Sequence, residues 1–238
     1  MRVGFVGLGV MGLPMAGHLL AAGHELAVWA RRPEAAAPLV EAGATLCASP
    51  AQLAARSEVV ISIVTGSADV EQLAFGPGGL VEGFAPGGIH VDMSTIAPGM
   101  ARRLAARYAE RGIGWLDAPV SGGGLGAQEA TLAIMAGGSA ATLEAVRPLF
   151  ACLGKTVVHI GEAGAGQVAK ACNQMLMVNA IQAAAEAMRL AAAHGLDLLR
   201  VREALAGGSA GSKVLDVMGG RMARPVSRRV CTTRISRC

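Results

Sequence analysis

The chain opens on "RVGFVGLGVMG" (2–12), a short apolar segment closed by three glycines at fixed spacing, and this stretch limits what the rest can fold into. A buried strand that runs into G-x-G-x-x-G and then into a helix is the start of a βαβ unit that binds a dinucleotide. Gly7 makes the tight turn, Gly9 lets the backbone approach a pyrophosphate, and Gly12 permits close helix–strand contact. The helix N-terminus adds N–H donors and a positive dipole. Gly7, Leu8, Gly9, Val10, Met11 and Gly12 are therefore the candidate cofactor loop. The same glycine spacing, with no small-residue cleavage site after it, reads as strand and turn rather than a signal peptide.

Apolar runs then alternate with helical patterns, which predicts parallel strands joined by helices. Strands are expected at 2–7, 25–30, 58–64, 88–94, 114–120, 131–137 and 155–161. One intervening helix is expected over 97–112, with Gly112 as its stop. From about Gly164 to His194 the pattern becomes one long helix closed by Gly195, followed by a shorter helix (197–206), the turn "GGSAGS" and an apolar stretch to Met218. The predicted class is α/β: a doubly wound Rossmann-like domain (1–163), then a partial, incomplete all-α domain (164–220) opened by the long helix. An arginine-rich tail (221–238) follows.

The end of the second strand bears on the cofactor. An NAD-preferring site places an acid there, about 20 residues beyond the glycines, to hold the ribose hydroxyls. This chain has Ala30, Arg31 and Arg32 instead. Two guanidiniums can pair with a 2′-phosphate, so NADP(H) is favoured over NAD(H); the alternative is a pair of solvated loop arginines. Further on, "DAPVSGGGLGA" (117–127) ends a strand in serine and three glycines. Consecutive N–H groups in such a turn form an anion-binding concavity, to which Ser121 adds a hydroxyl. Asp117 reads as a cap or brace for this loop. One of only three lysines, Lys170, lies in "GAGQVAKACNQ" (164–174) among small residues, with the amides Asn173 and Gln174 just beyond.

Together "GLGVMGLPMA", "DAPVSGGGLGA" and "GAGQVAKACNQ" resemble the β-hydroxyacid dehydrogenases, which include 3-hydroxyisobutyrate dehydrogenases, tartronate semialdehyde reductases and glyoxylate/succinic semialdehyde reductases. The resemblance covers residues 1 to about 220. It looks nearest to the tartronate semialdehyde branch through "DMSTIAP", "ACNQ" and "GGSAGSKVLD". It implies hydride transfer between a nicotinamide cofactor and a small 3-hydroxy acid or its semialdehyde. It also implies that Ser121, Gly122 and Gly123 hold the substrate carboxylate, that Thr95 sits by the nicotinamide ribose, and that Val64 and Thr65 line the cofactor. Lys170 would be the general acid/base. An ammonium beside the carbonyl oxygen stabilises the charge that develops there and donates a proton, and burial among small residues lowers its pKa toward working pH. The family pattern often has asparagine four residues after the lysine. Here Gln174 stands there and Asn173 one place earlier, so the orienting amide is left open between the two.

Composition narrows the alternatives. Six of the arginines fall in the last eighteen residues, while residues 1–220 carry 15 basic against 17 acidic side chains; the net charge of +4 belongs to the tail. A tail alone does not indicate nucleic-acid binding. No run of about 18 uninterrupted apolar residues suggests a membrane span. Five scattered cysteines and five scattered histidines show no disulfide or metal spacing. They favour a reducing cytoplasm, with the histidines at the surface or at strand ends. The ending "PVSRRVCTTRISRC" has no acid and no helical period, and the resemblance stops before it, as in a truncated or frame-shifted terminus. On that reading the long helix, apolar around most of its girth, needs cover from a second copy, and the chain is expected to self-associate through its helical part. Two alternatives follow: a cofactor-binding pseudoenzyme, and an imine reductase, against which Lys170 counts.

Overall fold

The computed structural model describes residues 1–222. Its internal contacts divide the chain into two units, the first Met1–Ala171 and the second beginning at Cys172. The first unit starts with β1 (Arg2–Val6), α1 (Gly12–Ala21) and β2 (Glu25–Trp29). A 3-10 turn, Pro33–Ala36, leads into α2 (Ala37–Glu41), β3 (Thr45–Leu46), α3 (Pro50–Ala55) and β4 (Val59–Ser62). Next come α4 (Ser67–Phe75), α5 (Leu80–Gly83), β5 (Ile89–Asp92), α6 (Pro98–Ala109) and β6 (Gly114–Asp117). The unit continues through β7 (Val120–Ser121), α7 (Gly123–Gln128), β8 (Leu132–Gly138), α8 (Ala140–Ala151) and β9 (Gly154–Gly161) into α9 (Ala165–Ala193).

The strands form one sheet in the order β3-β2-β1-β4-β5-β6-β8-β7, with β9 paired to β8. The six strands from β3 to β6 are parallel to one another. Successive residues of a strand face opposite sides, and here both sides are covered. Phe5, Val28 and Ile61 pack with Met15 and Leu19 of α1 on one face. Val6, Ala27 and Val60 pack with Leu53 of α3 and Leu73 of α4 on the other. A third cluster sets Tyr108, Leu104 and Met100 of α6 against Trp115 of β6.

Three features depart from the reading of the sequence. The expected strand 114–120 is broken into β6 and β7 at Ala118-Pro119, where proline has no N–H for a ladder. β8 runs antiparallel to both β6 and β7, because the link 122–131 is shorter than the dozen or so residues a parallel crossover needs. The two-residue β3 is too short to carry a period. The helices fare as expected: α6 ends before Gly112 (φ +66°), and α9 is closed by Gly195 (φ +68°). The division by contacts falls at 171/172, inside α9, since the first turns of α9 are tied to strand ends of the first unit.

In the second unit the stripe Ala184, Met188 and Leu215 packs with Leu198, Val201 and Leu205 of α10 (Leu198–Ala206) and with Met222. Asp197 caps α10, its Oδ1 accepting from the N–H of Leu199 at 2.9 Å. Met175, Leu176 and Val178 of α9 are more than half exposed. Among the described residues no helix is long and apolar enough to cross a membrane. Residues 223–238, nearly all of the expected tail, lie outside the described residues.

Candidate active site

The carboxyl ends of β1, β2 and β4 surround a cleft of ≈ 450 Å³ at the point where the strand order reverses, the place where open α/β sheets bind ligands. It gathers three separate stretches of sequence. Gly7, Leu8, Gly9, Val10, Met11 and Gly12 form one wall, Ala30, Arg31 and Arg32 the second, and Val64 and Thr65 the third. Gly7 has φ +98°, and a Cβ there would fall on the carbonyl of Ile63; one on Gly12 would fall on the carbonyl of Gly7. Gly9 differs, because a Cβ on it would meet nothing within 4 Å. Protein packing does not need that glycine, so the space beside it suits a ligand. Helix α1 begins at this loop with no side-chain cap and no acid in its first turn, which leaves its N–H groups and dipole for an anion. A dinucleotide's pyrophosphate fits these residues. Arg31 is exposed and reaches Asp69 of α4 at 3.4 Å.

The other expected site residues lie outside this lining. Thr95 is exposed on the loop after β5. Ser121 ends β7, half-buried, and Gly122 (φ +138°) and Gly123 (φ +62°) turn the chain into α7. His18 of α1 bonds to the carbonyls of Ala127 and Gln128 at 3.1 and 3.0 Å. A Cβ on Gly124 would stand 3.1 Å from Val10. The serine–glycine loop is thereby anchored beside the cofactor loop. Asn173 and Gln174 belong to the second unit, where the Asn173 amide donates to Gln174 Oε1 at 3.1 Å.

Lys170 is buried, only 8 % exposed, and burial lowers its pKa from the usual lysine value. Among the described residues no carboxylate pairs with it. Its helix is held by Asp117, whose Oδ1 accepts from Gly164 N–H at 2.6 Å and whose Oδ2 accepts from Gln167 N–H at 3.0 Å. Asp117 thus caps the lysine helix and not the serine loop, a correction to the sequence reading. The carboxylate ends β6, before the break at Ala118-Pro119 that carries the serine loop onward. Burial outweighs these hydrogen bonds and pushes Asp117 up to about 6.

A polar chain that the sequence did not reveal lies under the strand ends. Val64 N–H donates to Ser94 Oγ at 2.8 Å, and Ser94 Oγ donates to Asp92 Oδ1 at 2.6 Å. Ser62 Oγ also donates to Asp92 Oδ1, at 2.8 Å, and sits 2.8 Å from His90 Nε2; His90 Nδ1 is 2.8 Å from the Tyr108 hydroxyl. Since Ser62 spends its hydrogen on Asp92, it accepts from His90 Nε2–H, and Nδ1 accepts from Tyr108. Burial holds His90 neutral down to about 3. It is an interior residue, not the surface or strand-end histidine expected. Its signal was present: a polar residue at the centre of a parallel strand covered on both faces must find buried partners. Asp92 is pushed up to about 6, by burial first, with the serine bonds opposing and Asp117 adding to the rise; its Oδ2 has no partner.

The reversed strand order and the glycine cradle define a dinucleotide-binding domain of Rossmann type. Comparison with known proteins agrees. The family model described as the NAD binding domain of 6-phosphogluconate dehydrogenase matches residues 2–161, and that for NAD-binding of NADP-dependent 3-hydroxyisobutyrate dehydrogenase matches residues 164–230. The chain is 43% identical over 222 residues to 2-hydroxy-3-oxopropionate reductase of Escherichia coli, covering 93% of this chain and 76% of the relative. It is 44% identical over 216 residues to an NAD-dependent L-serine dehydrogenase of Pseudomonas aeruginosa, covering 91% and 72%. The structure of a Mycobacterium tuberculosis 3-hydroxyisobutyrate dehydrogenase with L-serine superposes with a TM-score of 0.81 at 35% identity, covering 90% and 73%. The chain belongs to the 3-hydroxyisobutyrate dehydrogenase family of β-hydroxyacid dehydrogenases.

Two outcomes test the geometry. Gly9→Ala has room in the protein, so it should match the parent in thermal unfolding while NADPH affinity falls by tenfold or more, roughly the 1.5–3 kcal/mol of a charge-assisted contact; Gly12→Ala should lose both. A Gly9→Ala variant that binds NADPH normally in a fluorescence titration would remove the pyrophosphate from this loop. The second concerns Asp92. Its folded pKa of about 6 lies above the ordinary 3.8, so the folded state binds the extra proton between these values. Stability therefore falls as pH rises across that window and levels off above it. Asp92→Asn keeps an acceptor for both serines without titrating. Relative to that variant, the parent should lose up to roughly 3 kcal/mol in urea unfolding between pH 4 and 6.5. A pH-independent difference would show that Asp92 titrates normally.

Proposed function

We propose that the protein is an NADP(H)-preferring oxidoreductase that interconverts small 3-hydroxy acids and their semialdehydes, of the tartronate semialdehyde or 3-hydroxyisobutyrate type. The observation that carries this is the buried Lys170, which no carboxylate among the described residues pairs with, on a helix whose start is capped by Asp117. The names of the relatives, a 2-hydroxy-3-oxopropionate reductase and an L-serine dehydrogenase, support a small carboxylate substrate. The nicotinamide cofactor, when bound, supplies or takes up the hydride. Ser121 Oγ and the backbone of Gly122 and Gly123 hold the substrate carboxylate, while Thr95 stands by the nicotinamide ribose. In the reducing direction Lys170 Nζ gives its proton to the carbonyl oxygen as negative charge develops there, and in oxidation the neutral amine takes the hydroxyl proton. Burial brings the amine closer to working pH, which both steps require. Asn173 or Gln174 orients the lysine or the substrate.

Cofactor preference rests on Ala30, Arg31 and Arg32. Among the described residues Arg31 has an exposed, long contact to Asp69, worth little in water, so a 2′-phosphate competes easily for it. The exposed apolar residues Met175, Leu176 and Val178 support self-association through the helical part.

The substrate class is tested by turnover of tartronate semialdehyde, methylmalonate semialdehyde, succinic semialdehyde and glyoxylate with NADPH; no turnover of any would sink the reading. Arg31→Ala should weaken NADPH by about tenfold or more while leaving NADH alone, and equal affinities of the parent for both would refute the preference. Lys170→Ala should lower kcat by about a hundredfold or more with unchanged NADPH affinity; turnover within a few-fold of the parent would make the lysine structural.

A further inference from the structure

Gln167 lies one helical turn before Lys170 and is 2 % exposed. Both polar atoms of its side chain are engaged, and both on the backbone of one loop. Its Oε1 accepts from Ile96 N–H at 3.0 Å, and its Nε2 donates to the Ser94 carbonyl at 2.8 Å. Thr95 is the residue between those two contacts. The loop is held from the other side by Ser94 Oγ, which donates to Asp92 and accepts from Val64 N–H in the cofactor cleft. The Gln167 backbone is itself fixed by Asp117 Oδ2. A single side chain therefore ties the start of the lysine helix to the loop that carries Thr95, and through Ser94 to the wall of the cleft.

We propose that Gln167 is a positioning residue for the reaction: its amide fixes the register between Lys170 and the Thr95 loop, so that proton and hydride reach the same carbonyl group. This rests on the reading of Lys170 as proton donor. Residues at i and i+3 share a helix face, so a shift of Gln167 against the loop moves Lys170 with it. Misplacement by about an ångström costs on the order of a hundredfold in rate even where binding is unaffected. The chemistry of the tie is specific. Ile96 N–H needs an acceptor and the Ser94 carbonyl needs a donor, at one fixed reach. Asparagine is a methylene too short. Glutamate has the length, but as a carboxylate it has no hydrogen to give and sets a negative charge against the Ser94 carbonyl. Once protonated, it restores both bonds.

The test compares the parent, Gln167→Glu, Gln167→Met and Lys170→Ala in the whole chain, with NADPH and tartronate semialdehyde, or the panel member turned over fastest. Rates are expressed per NADPH-binding site, so unfolded protein does not count. At pH 8, kcat of Gln167→Glu should fall by about tenfold to a hundredfold, while NADPH affinity and KM stay within about threefold. The isotope effect with 4-deuterated NADPH should rise as the chemical step becomes limiting. The ionisable groups near the introduced carboxyl include Asp117, Asp92 behind Ser94, Lys170 on the same helix and Arg102 of α6, which lies against Gly164. Burial and the two carboxylates raise its pKa, and the two cations oppose them. On acidification toward pH 6 the kcat of Gln167→Glu, taken as a ratio to the parent at each pH, should recover; that of Gln167→Met should stay low throughout. A merely structural glutamine would lose binding sites and melting temperature with no change in kcat per site or in isotope effect, and that result overturns the proposal. So does loss of NADPH binding in both glutamine variants. If Lys170→Ala is crippled while both glutamine variants turn over normally, the lysine reading stands and the positioning role fails. If Lys170→Ala turns over normally, both fall together.

Discussion

The placement of Lys170 depends on one carboxylate. Asp117 ends β6 and accepts N–H groups from the first turn of α9, satisfying donors that a helix N-terminus otherwise leaves open. The negative charge also lies at the positive end of a 29-residue helix, where the dipole favours it. Close approach is required, and the sequence permits it: a Cβ on Gly137 would sit 2.6 Å from the Gly166 nitrogen, and one on Gly166 would run into the Met135 carbonyl. Two absent side chains let the paired ends of β6 and β8 touch the start of a helix. That contact puts Lys170 into the first unit rather than into the helical one.

The buried polar chain from Tyr108 to Val64 has a related role. Burying polar groups costs free energy unless each finds a partner, and here all but Asp92 Oδ2 do. The chain crosses β4 and β5 and ends on the backbone of a cofactor-cleft residue. An apolar packing of similar volume would fill the space but would leave the Val64 N–H unmet and the Thr95 loop without one of its two ties. The polar groups therefore specify a position more than they add stability.

Much of this was legible in the residues. The glycine loop, the Ala30-Arg31-Arg32 stretch and the helix stops at Gly112 and Gly195 follow from local rules, because turn geometry and apolar period are set by near neighbours in sequence; Val64 and Thr65 were expected only from the resemblance. The antiparallel turn of β8, the cap by Asp117 and the grip of Gln167 were not legible. They depend on which strand end meets which helix, over separations of 47 and 71 residues, and nothing in "DAPVSGG" says that its aspartate caps a distant helix. His90 lies between the two cases: the apolar strand around it implied burial, but its partners Ser62 and Tyr108 come from other elements.

The glycine cradle has a consequence for how a ligand is received. Gly7 and Gly12 are locked by backbone contacts to Ile63 and to each other, so the loop takes its shape when the sheet assembles and not when a cofactor arrives. The conformational entropy of ordering it is lost at folding, and association need not meet that cost again. The loop is preorganised, and its rigidity is borrowed from the pairing of β1 with β4. A substitution deep in those strands, far from any ligand atom, thus acts on the cofactor by loosening the frame that receives it.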